Sequence, residues 1–144
     1  MRKGLHRLVA DRKGGAAVEF GLLAPAFILM LMGVLQVGVA MQAYNSLRSA
    51  SSDTAREVSV QYQTDNRLTE PQIAQLGTAK ATTAPYLLNS DRLEVTVEMA
   101  ATQQIPNATE LTLNFTYQLP SFLDFAGVSM PEITYTRPIF VSQA

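Results

Sequence analysis

From Phe20 to Leu47 the chain carries no charged side chain. Roughly 20 helical residues span a hydrocarbon core of about 30 Å. The stretch Phe20–Met41 is therefore long enough to cross a bilayer with some tilt. It is apolar through Leu35, is interrupted by Gln36, and resumes from Val37 to Met41. Two other readings stay open at this stage. A buried helix of a soluble protein passes a similar test, although such helices are usually shorter and keep a polar face. A secretory signal is the second, with Gly38-x-Ala40 as a small-residue cleavage site that would leave Met41 as the first residue.

The flanks give the segment a direction. Arg2, Lys3, Arg7, Arg12 and Lys13 precede it against a single Asp11, whereas Arg48 and Arg56 are balanced by Asp53 and Glu57 behind it. The positive-inside tendency puts the N-terminus in the cytoplasm and the C-terminal part outside. Outside the N-terminus no basic stripe exists and the net charge is −1, so nucleic acid is not an expected partner. There is no Cys, and the one His is His6, which leaves no thiolate chemistry and no His-based catalysis or metal site in the rest of the chain. No phosphate loop, zinc spacing or long repeat is present. Glu94 and Glu98 share one strand face, but acids that alternate with apolar residues read as solvent-facing. The chain reads as a non-enzyme without a cofactor or a metal.

The mouth of the apolar run is its most informative part. Arg12-Lys13 leads into Gly14-Gly15, then Ala16-Ala17-Val18, then one acid, Glu19, and Phe20. An acid costs roughly 2.5–3.5 kcal/mol at the bilayer centre and less near its edge. Keeping one beside a Gly pair suggests a partner for it. Ala17, Gly21 and Ala24 put small side chains on nearby faces, where a second helix can approach closely. Pro25 lacks the N–H that would bond residue 21, so a bend is expected near Gly21–Pro25.

Lys13-Gly14-Gly15-Ala16-Ala17-Val18-Glu19-Phe20, followed by Leu22-Leu23-Ala24-Pro25, resembles the N-terminus of TadE-like proteins, the minor pseudopilins of tight-adherence (Flp) pilus systems. Asn45-Ser46-Leu47-Arg48 and Asp53-Thr54-Ala55-Arg56-Glu57 are similar to the family's post-membrane helix; Val58-Ser59-Val60 then stands where the family commonly repeats Ala-Arg. The resemblance implies cutting by a prepilin peptidase between Gly14 and Gly15, with Arg12 and Lys13 holding the site at the cytoplasmic face. It implies that Glu19, the fifth mature residue, pairs with a neighbour's new amine. It also implies an inner-membrane assembly platform and sibling pseudopilins or the major pilin as partners, besides the lipid bilayer. The rivals are an uncleaved signal-anchored protein and a secreted periplasmic binding domain.

Beyond the membrane the helix is expected to run to about Val60, with Tyr44, Leu47, Ala55 and Val58 on one face. Gln63–Asn66 reads as a turn. Thr69-Glu70-Pro71 starts a second helix with Thr69 as N-cap, with Ile73, Leu76, Ala79 and Lys80 at helical spacing, ending by Pro85. From Leu93 the period changes to two. Leu93–Met99 and Leu111–Leu119 read as strands, and Ile133–Val141 as a third, with Pro138 at an edge or bulge. The expected fold class is α+β: a long transmembrane helix, then a small domain with a helix and a three-stranded antiparallel sheet. The organisation is a leader over 1–14, the long helix over 15–62 including a span near 20–41, and a periplasmic domain over 63–144. The apolar loop Pro120–Pro131 is expected to tuck into the core. The sequons at Asn107 and Asn114 read as chance matches in a bacterial family.

Overall fold

The computed structural model of the protein describes residues 13–100 and 108–142. Helix α1 runs unbroken from Lys13 to Gln63, across Pro25. Helix α2 covers Glu70–Thr82, and strands β1 (Leu93–Met99), β2 (Ala108–Gln118) and β3 (Glu132–Ser142) follow. The expected α+β class and sheet are what the chain forms. The residues of the basic leader up to Arg12, and Asn107 of the first sequon, lie outside the described residues.

Helix α1 has two environments. Its first half is bare, with Phe20, Leu22, Phe27, Leu31 and Val34 all exposed. It is the one described helix long and apolar enough to cross a membrane. Its second half is amphipathic. Ala43, Leu47, Ala50, Ser51, Thr54, Ala55 and Val58 are buried, at spacings of three and four that keep one stripe facing inward. The two buried hydroxyls on that stripe are satisfied by the helix itself: Thr54 donates to the Ala50 carbonyl at 2.7 Å and Ser51 to that of Arg48 at 2.9 Å. Tyr44 is half-exposed and meets Tyr135 edge-to-face, with ring centroids 5.9 Å apart. The helix stops where Asp65 takes a left-handed conformation (φ 61°) and the Asn66 N–H bonds back to the Gln61 carbonyl at 3.0 Å.

Thr69 is the N-cap of α2, its N–H bonded to the Gln72 side chain at 2.9 Å. The buried row of α2 is Ile73, Gly77 and Ala81, whereas Ala79 is exposed. Gly77 sets which face turns inward. It lets the Phe115 ring reach the helix backbone, which fixes the rotation of α2 on the sheet.

The sheet is a meander in the order β1-β2-β3, antiparallel throughout. Its register aligns Val95 with Phe115 and Phe115 with Tyr135. Central β2 buries alternate residues, Leu111, Leu113, Phe115 and Tyr117, against the two helices. Pro138 sits on edge strand β3 opposite Thr112, with no break in register. Arg137 follows the inward phase and donates to Ser52 of α1 at 2.9 Å. Glu94 and Glu98 are exposed on the outer face.

The loop from Pro120 to Pro131 departs from expectation. It was expected in the core, yet Phe122 (46%), Phe125 (71%) and Val128 (45%) are exposed. Hydrogen bonds within the loop are part of the reason. Ser121 donates to the Val128 carbonyl at 2.9 Å, the Val128 N–H bonds the Leu123 carbonyl at 3.2 Å, and Gly127 closes a short turn at φ 74°. These bonds hold Phe122, Phe125 and Val128 outward, while Leu123 and Met130 stay half-buried and Met130 packs on the core.

Candidate functional site

The Gly14–Pro25 stretch occupies the first turns of α1, so the spacing of its residues is helical. At about 100° per residue, Gly15 and Glu19 lie some 40° apart on one side, a single turn along the axis. On the same reckoning Gly14, Ala17, Gly21 and Ala24 fall within about 80° of one another on the opposite side. The helix thus presents a carboxylate face and a small-residue face.

Both faces are open. A Cβ placed on Gly14, Gly15 or Gly21 would meet no atom within 4 Å. Phe20 is 71% exposed beside Glu19. No hydrogen bond or ion pair from a described residue reaches the Glu19 carboxylate. Lys13 begins the helix, while Arg12 lies outside the described residues. The structure thus places Gly14, Gly15, Ala17, Glu19, Phe20, Gly21, Ala24 and Pro25 on one free helical segment.

The acids of the stem are used internally. Asp53 accepts a 2.6 Å hydrogen bond from the Tyr86 hydroxyl. That bond, together with partial burial and the carboxylate's own charge, raises the Tyr86 phenol above its ordinary value of 10.0. Glu57 lies 3.8 Å from Lys80 of α2. No group of acids or histidines among the described residues is arranged to hold a metal ion.

Gln36 has a role that its sequence position only hinted at. It is 3% exposed, although its helix neighbours Leu35 and Val37 are bare. Its amide donates to the Pro120 carbonyl at 2.6 Å and accepts from the Phe122 N–H at 2.9 Å. Both ends of one amide are consumed by one loop, which is clamped to α1. The available signal was a lone polar residue inside an apolar run.

Comparison with curated proteins and with solved structures finds no match. Residues 14–56 match the model of the TadE-like protein family, which bears out the resemblance drawn from Lys13–Phe20 and from the Asn45–Glu57 stem.

Proposed function

We propose that the chain is a minor pseudopilin of a tight-adherence (Flp) pilus system, cut by a prepilin peptidase between Gly14 and Gly15 and recruited through Glu19. The observation that carries this reading is Glu19 itself: an acid on a bare apolar helix, one turn from Gly15, with no partner from a described residue. The first turn of a helix lacks internal acceptors for its N–H groups, and each glycine there weakens it by about 1 kcal/mol relative to alanine. Peeling Gly14-Gly15 into an extended strand for a peptidase therefore costs little. Neither residue has a side chain to keep the enzyme from the backbone.

Cleavage turns the Gly15 nitrogen into an α-amine with a reference pKa near 8, mostly cationic at neutral pH. In a low dielectric a lone carboxylate is costly and a matched cation on a docking subunit offsets that cost. Glu19 and the amine of a neighbouring subunit then fix the axial register. The Ala17, Gly21 and Ala24 face lets the backbones come close. The N-terminus is cytoplasmic and the sheet domain periplasmic, following the charge asymmetry of the flanks. The assembly platform and the sibling pilins meet the protein through this helix.

Release after Ala40 fits the chain poorly. Ala43 and Leu47, just beyond that point, are buried in the domain core on the same continuous helix, and Gln36 before it clamps the loop. Intact mass and N-terminal sequencing of membrane-extracted protein, with and without co-expressed prepilin peptidase, test the proposal. Peptidase-dependent conversion to a chain starting at Gly15 is expected. A chain that keeps Met1, or starts at Met41 regardless of the peptidase, overturns it.

A further inference from the structure

The apolar stretch Phe20–Met41 spans about 33 Å at 1.5 Å per residue, just over a hydrocarbon core of about 30 Å. Phe20–Leu35 alone covers about 24 Å, so the outer turns from Gln36 on have to enter the bilayer for the helix to cross it. At the inner end stands Glu19. At the outer end stands Gln36, and its amide is covered by the loop carrying Phe122, Phe125 and Val128. A polar amide can enter hydrocarbon only if its hydrogen bonds are made within the protein, and Pro120 and Phe122 make them.

We propose that the Pro120–Met130 loop enters the outer edge of the bilayer beside its own membrane helix, with Phe122, Phe125 and Val128 in lipid. The loop is continuous with the exposed apolar surface of Leu35 and Val37, because Gln36 between them is its anchor. Its exposed apolar side chains form the kind of patch that needs a cover, and the nearest cover is the lipid already touching the helix. Leu87 adds a second point. It is 72% exposed and held at φ 52°, and it lines the same cleft as Val39 and Pro120. Two separate turns of the domain thus present apolar tips at the level of the helix exit, where amphipathic segments settle about 5–10 Å into the headgroup and acyl boundary. The inference rests on α1 crossing a bilayer and is independent of cleavage and of filament entry.

The chain has no tryptophan, so a single one can report its own surroundings. Full-length Phe125→Trp protein, reconstituted in phosphatidylcholine vesicles containing shallow-brominated lipid, is expected to show blue-shifted emission and to lose roughly half or more of it. Leu31→Trp marks the span and Gln63→Trp the far end of α1. A Phe125 probe that behaves like the Gln63 probe, quenched by aqueous acrylamide and untouched by lipid, overturns the proposal. So does emission that shifts only when other pilus subunits are added, which would make the patch a protein contact. A lipid-insensitive Leu31 probe would remove the membrane helix as well, and so separates failure of the loop from failure of the anchor.

Discussion

The Phe115 ring lies against the backbone of Gly77: a Cβ built on that glycine would stand 3.0 Å from the ring's Cζ and 3.1 Å from Cγ1 of Val95. Two effects compete when alanine is placed there. Helix propensity favours alanine by about 1 kcal/mol. Overpacking costs typically about 1–3 kcal/mol. Phe115 is fully buried and held by strands on both sides, so it has little room to yield. Gly77→Ala is expected to lower unfolding stability by about 0.5–2 kcal/mol, measured by urea denaturation of the full chain in detergent. A stabilised variant would mean that α2 lifts off the sheet freely.

Gln36→Ala removes both bonds that hold Pro120 and Phe122. A buried group left without its partner costs about 1–3 kcal/mol. The Phe122 amide is expected to exchange its hydrogen roughly tenfold faster or more, while Leu113 and Phe115 in β2 change little. Hydrogen exchange resolved by peptide mass reads both. Equal acceleration at β2 would mean that the clamp supports the whole domain.

The Tyr86–Asp53 bond sets a pH window. The phenol's folded value is raised above 10.0, so the folded state holds this proton more tightly than the unfolded chain does. Its contribution to stability is fully present below pH 10 and is lost as pH rises through the raised value. Tyr86→Phe is expected to be less stable than the parent at pH 8, with the difference shrinking by pH 11. Paired denaturation midpoints at the two pH values test this, and a gap that widens with pH would reverse the sign.

Glu19 and Gly14 act at separate steps in the proposed function. Gly14→Leu is expected to block conversion to the mature chain. Glu19→Ala is expected to be processed but to co-purify with pilus partners roughly tenfold less, with Glu19→Asp recovering part of the loss. Quantitative immunoblotting of membrane and sheared-pilus fractions reads both steps. Full incorporation of the alanine variant would leave Glu19 without an assembly role.

Much of the fold was legible because it rests on period and punctuation. Alternation along Leu111–Leu119 survived into β2 because the central strand of a one-sided sheet has to bury every second residue. Thr69 and Pro71 marked the start of α2 because capping is local chemistry. What failed depended on distance. Which face of α2 packs inward was not legible from its helical spacing, since a ring arriving from β2, 38 residues beyond Gly77, chose the face. The Pro120–Pro131 loop read as core because apolar residues usually are. Its own hydrogen bonds and the Gln36 clamp, 84 residues back in the chain, turned its side chains outward. Gly14, Glu19 and the small-residue face were visible at once, because all of them lie on one local helical segment.

Helix α1 enters the domain core without a hinge: the same unbroken element carries Glu19 near one end and Ala43, Leu47 and Val58 further on. Anchor and domain therefore behave as one screw. Adding a single residue between Leu31 and Gln36 would turn the sheet by about 100° relative to the Glu19 face and push it outward by about 1.5 Å. Azimuth is coupled to depth, so whatever fixes the helix in lipid or among neighbouring helices also aims the sheet. The length of the apolar stretch is then a compass setting for the sheet domain as well as a ruler along the helix axis.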